Sequence, residues 1–384
     1  MSITSVELWQ VRSPLSTPYH LSKVYGTLTH AEAVMVRITD GEGNAGWGEA
    51  DPMRPFTDES STGVFGFLTE IVPSRLIGRD PQDHAVLLGE LDALAAGQPL
   101  ARGAIDMALH DLVARRSGLR VCDLLGGRLR SSIPLLWPLG SEPLMASMAV
   151  VEAKVAQGYR SFMIKAGSRD VGEDAKRTRA LIERFHPDVS FIADANQGWS
   201  ESEALRFVSM IGTAPLALLE QPVARTNDEG MKRVREAALV PVSADEAVFS
   251  LGQAARLASD RAVDAFSIKV SKNGGLVPAR KIAALAEGHG IAILMNSMIE
   301  FGVTQAASLQ LGVTLPNLLD VGHAYMSVLR LEGDPTDFAT CVDAAVATLP
   351  DAPGLGVRVD AGQLGRIAVA HARITADGTS GVAA

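Results

Sequence analysis

From about residue 130 the chain repeats one pattern, a short β-branched run followed by an amphipathic helical segment, at a step of roughly 25 to 30 residues. The runs are Ile133 to Trp137, Ser161 to Lys165, Ser190 to Asp194, Leu216 to Glu220, Val240 to Asp245, Ala265 to Lys269, Ile291 to Met295 and Leu318 to Val321. Eight strands alternating with helices predict a parallel sheet with crossover helices, and that number closes into a barrel. The rival is an open doubly wound sheet, but no Gly-x-Gly-x-x-Gly turn follows the first strand of the repeat.

Ahead of the repeat the pattern differs. Ser5 to Val11, Ala33 to Ile38 and Ala45 to Glu49 read as strands, the last two joined at Gly41-Glu42-Gly43. Arg102 to Val113 reads as a helix, with Ala104, Ile105, Ala108, Leu109 and Leu112 at helical spacing. The fold class expected is α/β: a TIM-type (β/α) barrel with an α+β unit before it. The tail beyond Val369, ending Thr379-Ser380-Gly381-Val382-Ala383-Ala384, is expected to be partly disordered.

A chain of 384 residues with 47% hydrophobic composition can bury one large core and a smaller one. Its 44 acidic and 35 basic residues are spread without long runs, so no basic footprint for nucleic acid or an anionic membrane exists, and a small-molecule partner is expected. Cys122 and Cys341 stand far apart and outside any metal-ligand spacing, which fits a reducing compartment. No basic and apolar leader opens the sequence and no apolar stretch is long enough to span a bilayer, so the expected location is cytoplasmic.

The chemistry is written in where the ionisable residues fall. Lys165, Asp194, Glu220, Asp245 and Lys269 each end a successive predicted strand, with spacings of 26, 25 and 24 residues from Asp194 onward. In a barrel those ends share the rim where active sites form. Three converging carboxylates repel one another unless a cation neutralises them, and hard oxygen ligands suit Mg²⁺, with Mn²⁺ as a substitute. Asn196 and Glu246, beside the ligands, would orient them. Singly, each acid reads more readily as a strand-end or capping residue; three at consecutive strand ends reverse that reading. Lys165 and Lys269 fall half a turn apart in a ring of eight and would face each other across the metal. A nearby cation and low-dielectric walls favour a neutral amine, able to take the proton beside a substrate carboxylate and leave an enediolate.

These residues resemble the enolase superfamily, and within it the mandelate racemase/muconate lactonizing enzyme family and its muconate lactonizing enzyme-like subgroup. The resemblance covers nearly the whole chain. It rests on Gly46-Trp47-Gly48-Glu49, on Ala104 through Leu112, on Leu124-Leu125-Gly126-Gly127, on Ala193-Asp194-Ala195-Asn196-Gln197-Gly198-Trp199, on Leu219-Glu220-Gln221-Pro222, on Ala244-Asp245-Glu246 and on Ile268-Lys269 through Leu276. The pairing of Lys bases with Mg²⁺ is itself the known pattern of such sites. The resemblance implies Asp194, Glu220 and Asp245 as metal ligands and Lys165 and Lys269 as the acid/base pair. It implies a cap over residues 1–128, a barrel over 129–325, a segment 326–384 returning to the cap, and a homo-oligomer.

Glu300 and Asp320 resemble acidic residues found after the seventh and eighth strands. Two departures stand out. The family's Lys-x-Lys is Met163-Ile164-Lys165 here, so the auxiliary lysine is apolar. Asp320-Val321-Gly322-His323 lacks the second acid of the Asp-x-Asp that dipeptide epimerases carry, which weighs against a dipeptide substrate. Capping loops over Leu15 to Thr27 and Asp51 to Thr57 would select the substrate, with Tyr19 and Tyr25 as walls and Lys23 or Arg54 facing a second anionic group. His323 reads equally as a substrate contact or a structural histidine.

The function expected is therefore an isomerase of a small carboxylate, by racemisation, epimerisation or cycloisomerisation. A dehydratase of a hydroxy acid, with His323 or Lys269 as general acid, uses the same proton abstraction. A non-catalytic metal-dependent binding protein rests on Met163 alone.

Overall fold

The computed structural model describes residues 2–94 and 96–381. Three antiparallel strands come first: β1 (Ile3–His20), β2 (Thr27–Asp40) and β3 (Ala45–Ala50). The capping loop expected from Leu15 to Thr27 is mostly strand, because β1 continues to pair with β2 past a register shift, with Tyr19 opposite Leu28 and His20 opposite Thr27. Backbone pairing holds a stretch whose polar composition carries no strand signal, and residues 21–26 alone form the turn.

Four helices follow: α1 (Ser61–Arg75), α2 (His84–Leu94), α3 (Pro99–Arg116) and α4 (Val121–Leu124). α3 lies on the strands at backbone contact. A Cβ at Gly48 would stand 1.9 Å from the Ala104 carbonyl oxygen, and one at Gly46 2.2 Å from that of Ala108. The two glycines around Trp47 are therefore what lets the helix reach the sheet. Ile105, Met107, Leu109 and Leu112 are fully buried in that contact, each stabilising the fold by roughly 1.5–3 kcal/mol.

The second layer system begins with β4 (Ser132–Pro134) and β5 (Leu136–Leu139). It continues through α5 (Leu144–Ala156), β6 (Ser161–Lys165), α6 (Val171–Phe185), β7 (Ser190–Asp194), α7 (Glu201–Ile211), β8 (Leu218–Glu220), α8 (Asp228–Ala237), β9 (Val242–Ala244), α9 (Leu251–Ser259), β10 (Ala265–Ile268), α10 (Leu276–Gly288), β11 (Ala292–Met295) and α11 (Gly302–Gly312). Among the described residues β5 to β11 form one parallel sheet in sequence order, curled into a half-barrel. All five residues of β6 are buried, as expected of a parallel strand covered on both faces. Side-chain caps start several of the helices: Ser200 accepts from Glu203 N and Ser250 from Gln253 N, each in a reciprocal capping box.

The eighth predicted run does not form a ladder. Leu318 bridges Ile293 at one sheet edge and His323 bridges Leu135 at the other, with the chain bending at Asp320–Val321 between them. Hydrogen bonds from Ile293 N to Asn317 O (2.8 Å) and from Leu136 N to His323 O (2.9 Å) support the two points.

Beyond two 3₁₀ turns, Ser327–Arg330 and Phe338–Cys341, come β12 (Val342–Asp343), β13 (Val346–Thr348), α12 (Ala361–Ile367), β14 (Ala368–Thr375) and β15 (Gly378–Ser380). The tail is thus ordered where disorder was expected: β14 pairs with β1 and completes a five-stranded sheet, order β15-β14-β1-β2-β3. Ala370, Ala372 and Ile374 alternate into the core, a signal muted by two small side chains. Val382, Ala383 and Ala384 lie outside the described residues. Among the described residues no helix is long and apolar enough to cross a membrane, and Cys122 and Cys341 are free thiols.

Carboxylates from the first layer system serve helices of the second. Glu49, ending the Gly-Trp-Gly-Glu motif, accepts from Phe301 N (2.7 Å) and Thr304 N (2.9 Å) at the start of α11. Asp106 of α3 accepts from Val277 N (2.9 Å) in the first turn of α10, which Gly275 leaves without a side-chain cap of its own. Both acids supply acceptors for amides that a helix N-terminus leaves unpaired.

Candidate active site

β6, β7 and β8 run in register, so Lys165, Asp194 and Glu220 stand side by side at their C-terminal ends. Asp245 and Lys269 each fall one residue past the ends of β9 and β10. All five are buried. Lys165 Nζ donates to Asp194 Oδ2. Lys269 Nζ donates to Asp245 Oδ2 at 2.6 Å, and Lys272 Nζ donates to Asp245 Oδ1 at 2.8 Å. Glu220, whose strand lies between theirs, accepts through Oε1 from Ser267 Oγ (2.6 Å) and Asn296 Nδ2 (2.7 Å). Its Oε2 is buried without a hydrogen-bond partner.

The electrostatics follow from this crowding. Burial, then the charges of Asp194 and Asp245, raise the Glu220 carboxyl well above the usual carboxylate range. Burial, the largest single influence, works to lower both lysines, but the surrounding groups together outweigh it, Asp194 first for Lys165 and Asp245 first for Lys269, and both ammonium groups are raised. Three acid side chains, one with an orphaned oxygen and a carboxyl that its neighbours discourage from ionising, fit a hard divalent cation. In this structure the oxygens of the three do not all lie within 4.8 Å of one another, and each lysine holds one oxygen of the outer two.

Both lysines line one cavity. Lys165 Nζ lies 5.9 Å from the centre of the Tyr19 ring and Lys269 Nζ 4.1 Å from that of Phe56. Met163, in place of the auxiliary lysine, is buried in the same wall. Asn196 lines the cavity and donates to Glu246 Oε1 (3.1 Å), which also accepts from Tyr25 OH (2.9 Å). Burial and the charges of Asp245 and Asp194 push the Glu246 carboxyl up to about 8. The turns here use strained backbone: Asn196, Gln197 and Gln221 have φ of 42°, 62° and 35°, and Ile299 has φ of 68°.

Other expected residues fall elsewhere. Glu300 is buried beneath the loop after β11, accepting from Met298 N (2.6 Å), Gln305 Nε2 (3.0 Å) and Ser297 Oγ, so it shapes the wall at Met298 and Ile299 without facing the cavity. Asp320 is exposed where the chain bends. His323 is buried in the seam between sheet edges, its Nδ1 accepting from Met295 N at 3.0 Å, and burial pushes it down to about 4. Neither Asp320 nor His323 is in the cavity wall; the rim contact expected at Asp320 is not seen, and of the two readings of His323 its place in the seam matches the structural one. Lys23 is exposed, and Arg54 lines an outer groove with His30 and Glu32. That groove and the cavity share Leu28, Met53, Met298 and Ile299 as a common partition.

Three polar contributors were not read from the sequence. Ser267 and Asn296 hold Glu220 but carry no distinguishing pattern. Arg330, on the 3₁₀ turn after the sheet, sits 3.9 Å from the Tyr19 ring centre with Nη1 buried and without a hydrogen-bond partner. Lys272 was visible as the second lysine of Lys269-x-x-Lys272, although its role beside Asp245 was not.

Comparison with known proteins covers both parts of the chain. Residues 3–126 match the mandelate racemase/muconate lactonizing enzyme N-terminal domain, and residues 146–363 match the enolase C-terminal domain-like family. The chain is 34% identical over 363 residues to a chloromuconate cycloisomerase of Cupriavidus necator, covering 94% of this chain and 97% of that protein. It is 31% identical to the L-Ala-D/L-Glu epimerase of Bacillus subtilis over 361 residues, covering 93% and 97%. The crystal structure of an N-succinyl Arg/Lys racemase from Bacillus cereus superposes with a TM-score of 0.92 at 28% identity, covering 97% of this chain and all of that one.

Proposed function

The chain belongs to the mandelate racemase/muconate lactonizing enzyme family of the enolase superfamily, in its muconate lactonizing enzyme-like subgroup, and from that premise we propose that it is a Mg²⁺-dependent isomerase acting at the carbon beside a substrate carboxylate. One observation carries the reading: Lys165 and Lys269, on strands separated by three others, line the same cavity, and each is paired with a different one of the candidate ligand carboxylates.

Asp194, Glu220 and Asp245 would hold the ion, with Asn196 and Glu246 orienting them from behind; Mn²⁺ would substitute. When bound, the ion supplies positive charge that neutralises the three acids, relaxes their hold on the lysine protons and favours the charge that develops on the substrate carboxylate. The chain's own groups do the rest. Lys165 or Lys269, as a neutral amine, takes the α-proton into Nζ. The other, as an ammonium, returns a proton to the opposite face, giving racemisation or epimerisation; when the carbanion instead expels a β-carboxylate and opens a lactone, or in reverse arises as a carboxylate adds across a double bond and is protonated by the ammonium, one lysine suffices and the result is cycloisomerisation. Tyr19, Phe56 and Met163 keep water from the amines. Arg330, with its free Nη1, would hold a second oxygen-bearing group of the substrate.

This reading assigns residues 1–128 to the cap, 129–325 to the barrel and 326–384 to the returning segment, with residues 317–323 closing the barrel as its eighth strand; the two single bridges support that closure. It describes a cytoplasmic homo-oligomer. Incubation with Mg²⁺ in D₂O against amino acids, N-acyl amino acids, hydroxy acids and muconates tests it. Metal-dependent deuterium at the carbon beside a carboxylate is the expected result; water loss from a hydroxy acid without exchange into recovered substrate would replace it with the dehydratase.

A further inference from the structure

Away from the cavity, where α2 and α3 meet the start of α10, a second set of ligating groups converges. His84 opens α2, and Asp106 and His110 lie one turn apart on α3. Taking one ligand atom from each, all three lie within 4.8 Å of one another. Asp106 is fully buried and His110 nearly so, while the His84 and His110 rings overlap with centroids 4.2 Å apart.

The hydrogen bonds leave this cluster incomplete. His110 Nδ1 bonds the Asp106 carbonyl oxygen at 2.9 Å, and since a carbonyl only accepts, that nitrogen carries the proton and Nε2 keeps its lone pair. An imidazole that gives one N–H to a backbone carbonyl is oriented in the way metal-ligating histidines are. Asp106 Oδ2 accepts from Val277 N, and Oδ1 is paired with His110 Nδ1 at 3.0 Å. One unpaired buried polar atom, His84 Nε2, leaves a desolvation cost of roughly 1–3 kcal/mol unless something binds it. Arg280 on α10 opposes a cation here, and Asp106 answers it.

We propose that His84, Asp106 and His110 form a second metal site, distinct from the rim carboxylates, which takes a borderline transition-metal ion such as Zn²⁺. Two imidazoles and one carboxylate match the ligand preferences of Zn²⁺ and disfavour Mg²⁺, which demands oxygen ligands. Three protein ligands would leave a fourth position for water, and His84 is the half-buried member of the set. The site ties α2 to α3. Through Asp106 and Val277 it also reaches the first turn of α10, directly after the Lys269–Gly275 segment.

The test uses the full chain, stripped with a chelator, returned to excess Mg²⁺ and titrated with Co²⁺ as a coloured substitute for Zn²⁺. The expected result is one equivalent giving the intense visible bands of near-tetrahedral Co²⁺, bleached by Zn²⁺, with a melting temperature raised by a few degrees. His84→Ala should lose the bands and the thermal shift while keeping a wild-type circular dichroism spectrum. Asp194→Asn, at the rim, should keep both. Absence of the bands in the wild-type chain, their persistence in His84→Ala, or their loss in Asp194→Asn would each overturn the proposal. Should His84→Ala fail to fold, His84→Cys replaces it, with the expectation that the bands shift toward thiolate charge transfer.

Discussion

The two lysine sides of the cavity are built differently. On the Lys269 side, Asp245 serves two ammonium groups, Lys269 at 2.6 Å and Lys272 at 2.8 Å, and Lys272 also donates to the carbonyls of Asp245 and Ser267. On the Lys165 side, Asp194 serves one, and the neighbour two residues back on β6 is Met163. A second cation beside an amine disfavours its charged form, and here that falls on Lys272, which burial and then the charge of Lys269 lower, while Lys269 and Lys165 are both raised. The difference teaches that sharing a strand-end position does not make the two amines equivalent. Lys269 shares its carboxylate with a second ammonium, and Lys165 holds its own alone.

The largest expected effect removes either amine. Lys165→Ala and Lys269→Ala should each lower turnover by about 10²–10⁴-fold or more while leaving metal binding, followed by calorimetry, intact. Isotope exchange in D₂O sharpens the comparison: if one variant still exchanges deuterium into one substrate enantiomer, the surviving lysine is the base for that face, and full activity in either variant would sink the pairing. Lys272→Met tests the crowded side. It leaves the buried Asp245 oxygen and two carbonyls short of a donor, and a loss of about 3–5 kcal/mol in chemical denaturation is expected. A change below 1 kcal/mol would show that Lys272 is not what organises that side.

The two sides meet again at the seam through His323, which gives a pH-dependent test. Its value lies near 4 folded against 6.5 for the unfolded chain. Above pH 6.5 neither state holds the proton and the contribution is complete. As pH falls from 6.5 toward 4 the unfolded chain takes up a proton that the folded chain refuses, so up to about 3 kcal/mol of stability is lost, and below 4 the loss levels off. His323→Asn should flatten that part of the stability curve and leave solvent exchange unchanged; a parallel curve would mean the ring is not neutral in the fold. The smallest effect comes from Met163→Lys, which supplies the sparse side with a second cation. The acidic limb of the pH–rate profile for the Lys165 step should move down by about one pH unit, and an unmoved limb would break the comparison.

Much of this site was legible because parallel strands write their ends into the sequence. Lys165, Asp194, Glu220, Asp245 and Lys269 could be aligned by spacing alone, since each β/α unit aims one side chain at one rim. Arg330 was not legible, because it stands on a 3₁₀ turn with no period and reaches the cavity only through its packing on Tyr19. Asp320 differs from its expectation for a related reason: the eighth run bends after one bridge, which turns the acid outward, while His323 takes the structural one of its two readings, in the seam. The tail strand hid because its inward positions are Ala370, Ala372 and Ile374, too small to read as an alternating strand.

Glu49 and Asp106 carry a last consequence, for inheritance. Each acid belongs to the region that matches the N-terminal family domain, and each completes the first turn of a helix in the region that matches the C-terminal one. Helices α10 and α11 are therefore finished by residues from another part of the chain. A chimera joining the C-terminal region to a foreign N-terminal one would recover these helix starts only if the donor brought acids to the same two places.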